Sequence, residues 1–210
     1  QLTELGYEAS ITVTNPNGDI APPTLEAFSI DTPLVQVQGG GVVATFSVTA
    51  SDDVSGIAHI NVKLTSPSGM AYRWGDVFNR GSDKTLSASI NTNPFEIYAE
   101  DGNWMVETIE ISDQAGNVMR WDTAALIADT KATIVSVVNA NPDITAPELM
   151  DFTVLTPTVD ATPGNVTAGF SVTAKDDAAG IAEIVLSMVG PSQQVLLATY
   201  SVLDQTTGWW

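Results

Sequence analysis

The stretch Thr49-Ala50-Ser51-Asp52-Asp53-Val54-Ser55-Gly56-Ile57 returns 124 residues later as Thr173-Ala174-Lys175-Asp176-Asp177-Ala178-Ala179-Gly180-Ile181. The same offset carries Asp19-Ile20 onto Asp143-Ile144, Thr32-Pro33 onto Thr156-Pro157, Phe46 onto Phe170 and Pro67-Ser68 onto Pro191-Ser192. No gap is needed, and about half the aligned positions are identical. A match of that length and density is an internal repeat, which sets the folding unit at about 124 residues, an ordinary domain size. In both copies an alternating apolar run leads into the acidic turn. Val42, Ala44, Phe46, Val48 and Ala50 alternate with Val43, Thr45, Ser47 and Thr49, the period of two that puts one face of a strand on a core. Beyond the turn, Ala58, Ile60, Val62 and Leu64 resume the alternation, as do Ala182, Ile184, Leu186 and Met188 in the second copy.

Working outward, Leu25 to Ile30 reads as a first strand that Thr32-Pro33 ends, because proline cannot continue the ladder. Gly39-Gly40-Gly41 reads as a loop and Pro67-Ser68-Gly69 as a turn. Short strands are expected around Tyr72-Trp74, Thr85-Ile90 and Phe95-Tyr98. Trp104 to Ile111 is a strong strand whose apolar parity changes between Val106 and Ile109, the mark of a bulge. Asp113-Gln114-Ala115-Gly116-Asn117 is a turn, and Ala132 to Val138 is a closing strand. No helical period stands out. Seven or more short strands divided by Gly, Pro and Asx turns specify an all-β chain, an immunoglobulin-like β-sandwich repeated in tandem.

Residues 1–18 align with 125–142, so they read as the closing strand of a preceding repeat; 19–142 form a complete repeat, and 143–210 the N-terminal part of the next. Two arrangements follow from such ends. Either the chain is a segment of a longer array, or it is a subunit whose residues 1–18 add as a strand, near Ala9 to Thr14, to the incomplete unit of an identical chain, making a head-to-tail filament. Trp209-Trp210 at the end of the incomplete copy awaits its missing strands.

The chain carries 25 acidic and 7 basic residues, a net charge of −18. That argues against nucleic acid and anionic membrane surfaces as partners and favours cations, although an acidic surface also serves solubility alone. There are no cysteines, so disulfides and thiolate metal sites are excluded. No apolar run reaches the length of a membrane span, and membrane insertion is not expected.

The assembled motifs, Asp143-Ile144-Thr145-Ala146-Pro147, Asp-Asp-x-x-Gly-Ile, Ser66-Pro67-Ser68-Gly69 and Asp113-Gln114-Ala115-Gly116-Asn117, are similar to those of tandem immunoglobulin-like repeats in large bacterial surface and secreted proteins. The resemblance covers almost the whole chain. It implies an extracellular or cell-surface location and a stalk or adhesin role, with neighbouring repeats, surface glycans or other cells as partners. Residues 70–100 are longer than in the plainest members of that group.

In a sandwich of this kind, the two acidic turns sit at the end where the chain enters. Asn17, Asp19, Asp52, Asp53, Asp113 and Asn117 are therefore expected to gather in the first unit, and Asn141, Asp143, Asp176 and Asp177 in the second. Carboxylates, amide carbonyls and backbone carbonyls are the oxygen donors calcium takes, six to eight at a time. The Asx-rich, proline-marked linkers distantly resemble those of cadherins, where calcium stiffens successive domains. The plainer alternative is that Asp and Asn fold these turns by bonding their own backbone.

Catalysis has little footing. His59 is the only histidine and Glu183 replaces it in the second copy, while no Cys nucleophile, Gly-x-Ser-x-Gly elbow or phosphate-cradling glycine loop is present. Trp104 reads as core. Tyr72, Trp74 and Trp121 are candidates for stacking on sugar rings, the basis of an alternative reading as a carbohydrate-binding module of a secreted enzyme. Asn165-Val166-Thr167 fits a glycosylation acceptor, and Lys63, Lys84 and Lys131 are candidates for isopeptide crosslinks without a triad to single them out. The leading expectation is a non-enzymatic structural and adhesive module.

Overall fold

The computed structural model describes residues 12–160, 162, 164, 166–190, 193 and 195–201. The expected strand at Ala9 to Thr14 falls mostly outside them, and residues 12–14 are not in a strand. Trp209-Trp210 and Asn165 also lie outside the described residues. In chain order the elements begin with β1 (Thr24–Ile30), β2 (Leu34–Val37), β3 (Thr45–Ser51), β4 (Ile57–Thr65), β5 (Tyr72–Phe78) and β6 (Thr85–Asn91). They continue with β7 (Gly102–Asp113), β8 (Val118–Asp122), α1 (Thr123–Ala128) and β9 (Ile134–Asn139). A last group comprises β10 (Glu148–Val154), β11 (Phe170–Lys175), β12 (Glu183–Val189) and β13 (Val195–Ser201). The chain divides into two compact units, one made of residues up to Glu96 with Asp101–Ala140, the other of Ile97–Glu100 with the residues from Asn141 on.

The first unit is nearly all β. One sheet has the order β1-β3-β6, the other β2-β9-β7-β4-β5, with β8 added to β7, an arrangement compatible with a β-sandwich. Alternation dictates what each sheet buries. Phe46, Val48 and Ala50 of β3 and Ile60, Val62 and Leu64 of β4 are buried, while their odd-numbered neighbours stay partly or fully exposed. Trp104 is fully buried and meets Phe95 edge-on, ring centroids 5.0 Å apart. The Arg73 guanidinium lies 5.5 Å from the Phe95 ring and 5.6 Å from the Trp104 ring. Desolvation lowers its pKa from the ordinary value, against the opposing pull of Glu96.

The expected bulge is present: Glu107 has no partner in the β4–β7 register, which shifts between Lys63 and Leu64, so Val106 and Ile109 both face inward. A second shift between Ile57 and His59 puts Ile57 in the core, where the alternation had placed Ala58. Four other expectations change. β2, parallel to β9, occupies Leu34–Val37, a segment to which the sequence pattern assigns no element because it is only four residues long. Phe95 makes an isolated bridge to Val42, and no strand runs from Phe95 to Tyr98. Val118–Asp122 forms β8, so Asp113–Asn117 closes a β7–β8 hairpin. The helix α1 is six residues long with Leu126 its only buried member, too short to impose a period; Asp122 caps it by accepting from Ala125 N at 2.8 Å.

In the second unit β10 pairs with β11 as β1 pairs with β3, with a register shift at Leu149/Asp151 matching that at Leu25/Ala27. β12 pairs with β13 as β4 does with β5, except that Ile184 faces Tyr200 where Ile60 faces Val77, so the second hairpin is one residue shorter. Leu149 and Phe152 are 63% and 44% exposed, against 9% and 7% for Leu25 and Phe28, since the described residues of this unit include no counterparts of β6, β7 or β9.

Candidate functional site

Three segments of the first unit converge: the entering chain at Asp19, the β3–β4 connection and the β7–β8 turn. Because β3 and β4 belong to different sheets, the first of these turns crosses between sheets and is not a hairpin. Its leading aspartate folds it. Asp52 Oδ2 accepts from the amides of Val54 at 3.1 Å and Gly56 at 2.6 Å. Asp113 does the same for its own turn, Oδ1 accepting from Ala115 N and Asn117 N, both at 2.9 Å. In each case one carboxylate oxygen holds the amides two and four residues on, the local bonding that makes aspartate a turn former. Gly56 completes the first turn at φ +85°, and a Cβ there would sit 2.8 Å from the Ser82 backbone.

Asp19 fastens the entering chain to this turn. Its Oδ1 accepts from Ala21 N and its Oδ2 from Ser55 N, both at 3.0 Å. Asn117 Nδ2 reaches the carbonyl oxygens of Asp19 and Ala21 at 3.3 Å each and Asp113 Oδ2 at 2.7 Å. The Ser55 hydroxyl, whose Oγ makes no hydrogen bond of standard geometry, lies near enough to hold the Asp19 carboxyl below its ordinary value. The Ala21 and Ser55 amides and the Lys84 ammonium act in the same direction, against burial. Lys84 Nζ itself donates to the Asp53 carbonyl at 2.5 Å.

Carboxylate oxygens of Asp19, Asp52 and Asp113 lie within 4.8 Å of one another, and Asp52 and Asp113 are only 8% and 3% exposed. Turn formation accounts for most of their bonding but leaves a remainder. Among the described residues, Asp52 Oδ1 is buried without a hydrogen-bond partner. Buried polar atoms are nearly always paired, and an unpaired oxygen of a buried carboxylate among like charges is costly. The donor set suits a hard cation: carboxylates with hydroxyl and amide oxygens at hand, no thiolate, and the only histidine on the outward face of β4. Of the other expected ligands, Asp53 is exposed and outside the carboxylate group, and Asn17 is exposed with its amide on Asn15 Oδ1 at 3.1 Å.

The second unit repeats the clasp. Asp143 Oδ1 accepts from Thr145 N at 2.9 Å and Oδ2 from Ala179 N at 2.8 Å, while Asp176 Oδ1 accepts from Ala178 N at 3.1 Å and Gly180 N at 2.7 Å. Asp143, Asp176 and the exposed Asp177 form its carboxylate group, and Asn141 is exposed. Ala179 replaces Ser55, so the bond is to the backbone amide and is invisible in the side-chain pattern. That is why residue 55 is not among the expected site residues; Lys84 figures there only as a crosslink candidate, because no sequence motif places it beside Asp53.

Tyr72 and Trp74 lie on the outward face of β5, 41% and 49% exposed. Trp121 pairs with buried Ile109 and so shares the inward parity of the sheet, apart from them. No protein-family model matches the chain, and no curated protein matches it significantly.

Proposed function

We propose that this chain is a structural and adhesive extracellular module: immunoglobulin-like sandwich units in tandem, with calcium stiffening the place where the chain enters each unit. The carrying observation is the clasp from the linker aspartate to the acidic turn, Asp19 to Ser55 N and Asp143 to Ala179 N, which recurs at the repeat offset. A linker fastened the same way in each copy holds a fixed direction, unlike a flexible tether. The strand order β2-β9-β7-β4-β5 opposite β1-β3-β6, with β2 parallel to β9, supports the immunoglobulin-like assignment. The unpaired Asp52 Oδ1 supports the cation. Asp19, Asp52 and Asp113 would hold it in the first unit and Asp143, Asp176 and Asp177 in the second; the ion supplies the positive charge that offsets the converging carboxylates. Calorimetric titration of the chelator-stripped chain with calcium tests this. Saturable binding lost in Asp52→Asn is expected, and absence of binding overturns the calcium part.

A further inference from the structure

We propose that the outward face of the β4–β5 hairpin binds a neutral oligosaccharide, with Trp74 and Phe78 as stacking surfaces and Asp76 as the hydrogen-bonding group between them. Tyr72, Trp74, Asp76 and Phe78 alternate along β5 and stand opposite Thr65, Lys63, Asn61 and His59 of β4, so all eight share one face. Phe78 is 70% exposed and Trp74 49%. Same-face neighbours on a strand are about 6.7 Å apart, so the row from Tyr72 to Phe78 extends roughly 20 Å, the reach of a short sugar chain.

The polar groups of this face are already arranged. Asp76 Oδ1 accepts from His59 Nε2 at 2.8 Å and Asn61 Nδ2 at 2.9 Å, and Oδ2 has no partner among the described residues. The His59 ring stacks under Phe78 at 4.2 Å and fixes it. Lys63 donates to Glu107 Oε1 at 3.1 Å and lies 3.9 Å from the Tyr72 ring centroid. With Lys63 paired to Glu107 and Asp76 presenting a carboxylate acceptor, the face offers little to an anionic ligand, in keeping with the −18 charge of the whole chain. Held aromatic rings beside an oriented acceptor suit a pyranose, whose C–H face meets the negative face of a ring while its hydroxyls donate at the rim.

The second copy is an internal control. Where Trp74, Asp76 and Phe78 stand opposite Lys63, Asn61 and His59, the second hairpin has Leu197, Thr199 and Ser201 opposite Ser187, Val185 and Glu183. The core positions stay apolar, with Ile60, Val62 and Leu64 matched by Ile184, Leu186 and Met188. The hairpin therefore does not need the aromatic row in order to form, and the row is a local addition to one unit.

The test is calorimetric titration of the full chain with neutral hexasaccharides of β-1,4-linked glucose, mannose and N-acetylglucosamine. At least one should bind, with affinity falling about tenfold or more in Trp74→Ala and in Phe78→Ala at unchanged melting temperature. Asp52→Asn should bind as the parent does, which separates this result from the fate of the cation site. No binding by any of the three sugars, or binding unchanged in both aromatic variants, overturns the proposal. So does concentration-dependent dimerisation abolished by Trp74→Ala, which would assign the face to a second copy of the chain.

Discussion

At the scale of single residues, the two oxygens of Asp52 stand differently, and one substitution separates turn formation from the proposed cation binding. Oδ2 folds the turn, whereas Oδ1 is buried and unpaired. Asp52→Asn keeps an oxygen for the amides of Val54 and Gly56 and removes one charge from the cluster. In chelator it should change stability by less than about 1 kcal/mol, the weaker neutral hydrogen bonds being offset by relief of like-charge crowding. With calcium present it should abolish the stabilisation the parent gains. Equal effects of the substitution in both buffers, read from urea unfolding, would leave Asp52 as a turn former only. Gly56 has a purely conformational role. Gly56→Ala places a Cβ 2.8 Å from the Ser82 backbone at φ +85°, and should cost on the order of 3 kcal/mol whether or not calcium is present.

At the scale of elements, two tryptophans of similar sequence surroundings show what parity decides. Trp104 and Trp74 both sit in alternating strands, but Trp104 is fully buried against Phe95 and Arg73 while Trp74 is half exposed. Trp104→Ala should cost about 4 kcal/mol in urea unfolding, and Trp74→Ala less than about 0.5. A cost for Trp74 approaching that for Trp104 would show that the outward face is structural. The long strands were legible because seven to twelve residues carry enough alternation to define a face, and even the Glu107 bulge announced itself through the broken parity of Val106 and Ile109. β2 and α1 were not, since four residues give two periods of alternation at most and six residues less than two helical turns. What forms them is not periodicity: β2 is held by the distant β9, and α1 by its local Asp122 cap together with the burial of Leu126. The acidic group was legible as a set of Asx turns. The orphaned Asp52 Oδ1 was not, because pairing is a property of three dimensions.

At the scale of the whole molecule, an acidic chain with converging carboxylates should respond to calcium in both stability and shape. A ligand bound only by the folded state stabilises it by RT ln(1 + [L]/Kd), about 2.7 kcal/mol at a hundredfold excess over Kd. For a unit of this size that corresponds to a rise in melting temperature of roughly 10 °C. Magnesium at the same concentration should do less, because its stricter octahedral geometry suits this set of turn-bound carboxylates poorly. Monovalent salt should raise stability only gradually, by screening the −18 net charge. The shape prediction concerns several whole repeats joined in their natural spacing, studied by small-angle scattering. With calcium the array should scatter as a stiff extended rod, because the Asp19-type clasp fixes each entry point and an ion held by Asp19, Asp52 and Asp113 would tie that clasp to both turns. In chelator the maximum dimension should shorten as the junctions bend. A compact globular envelope in both conditions would overturn the stalk reading, and an extended envelope indifferent to calcium would leave the clasp of hydrogen bonds as the sole source of stiffness.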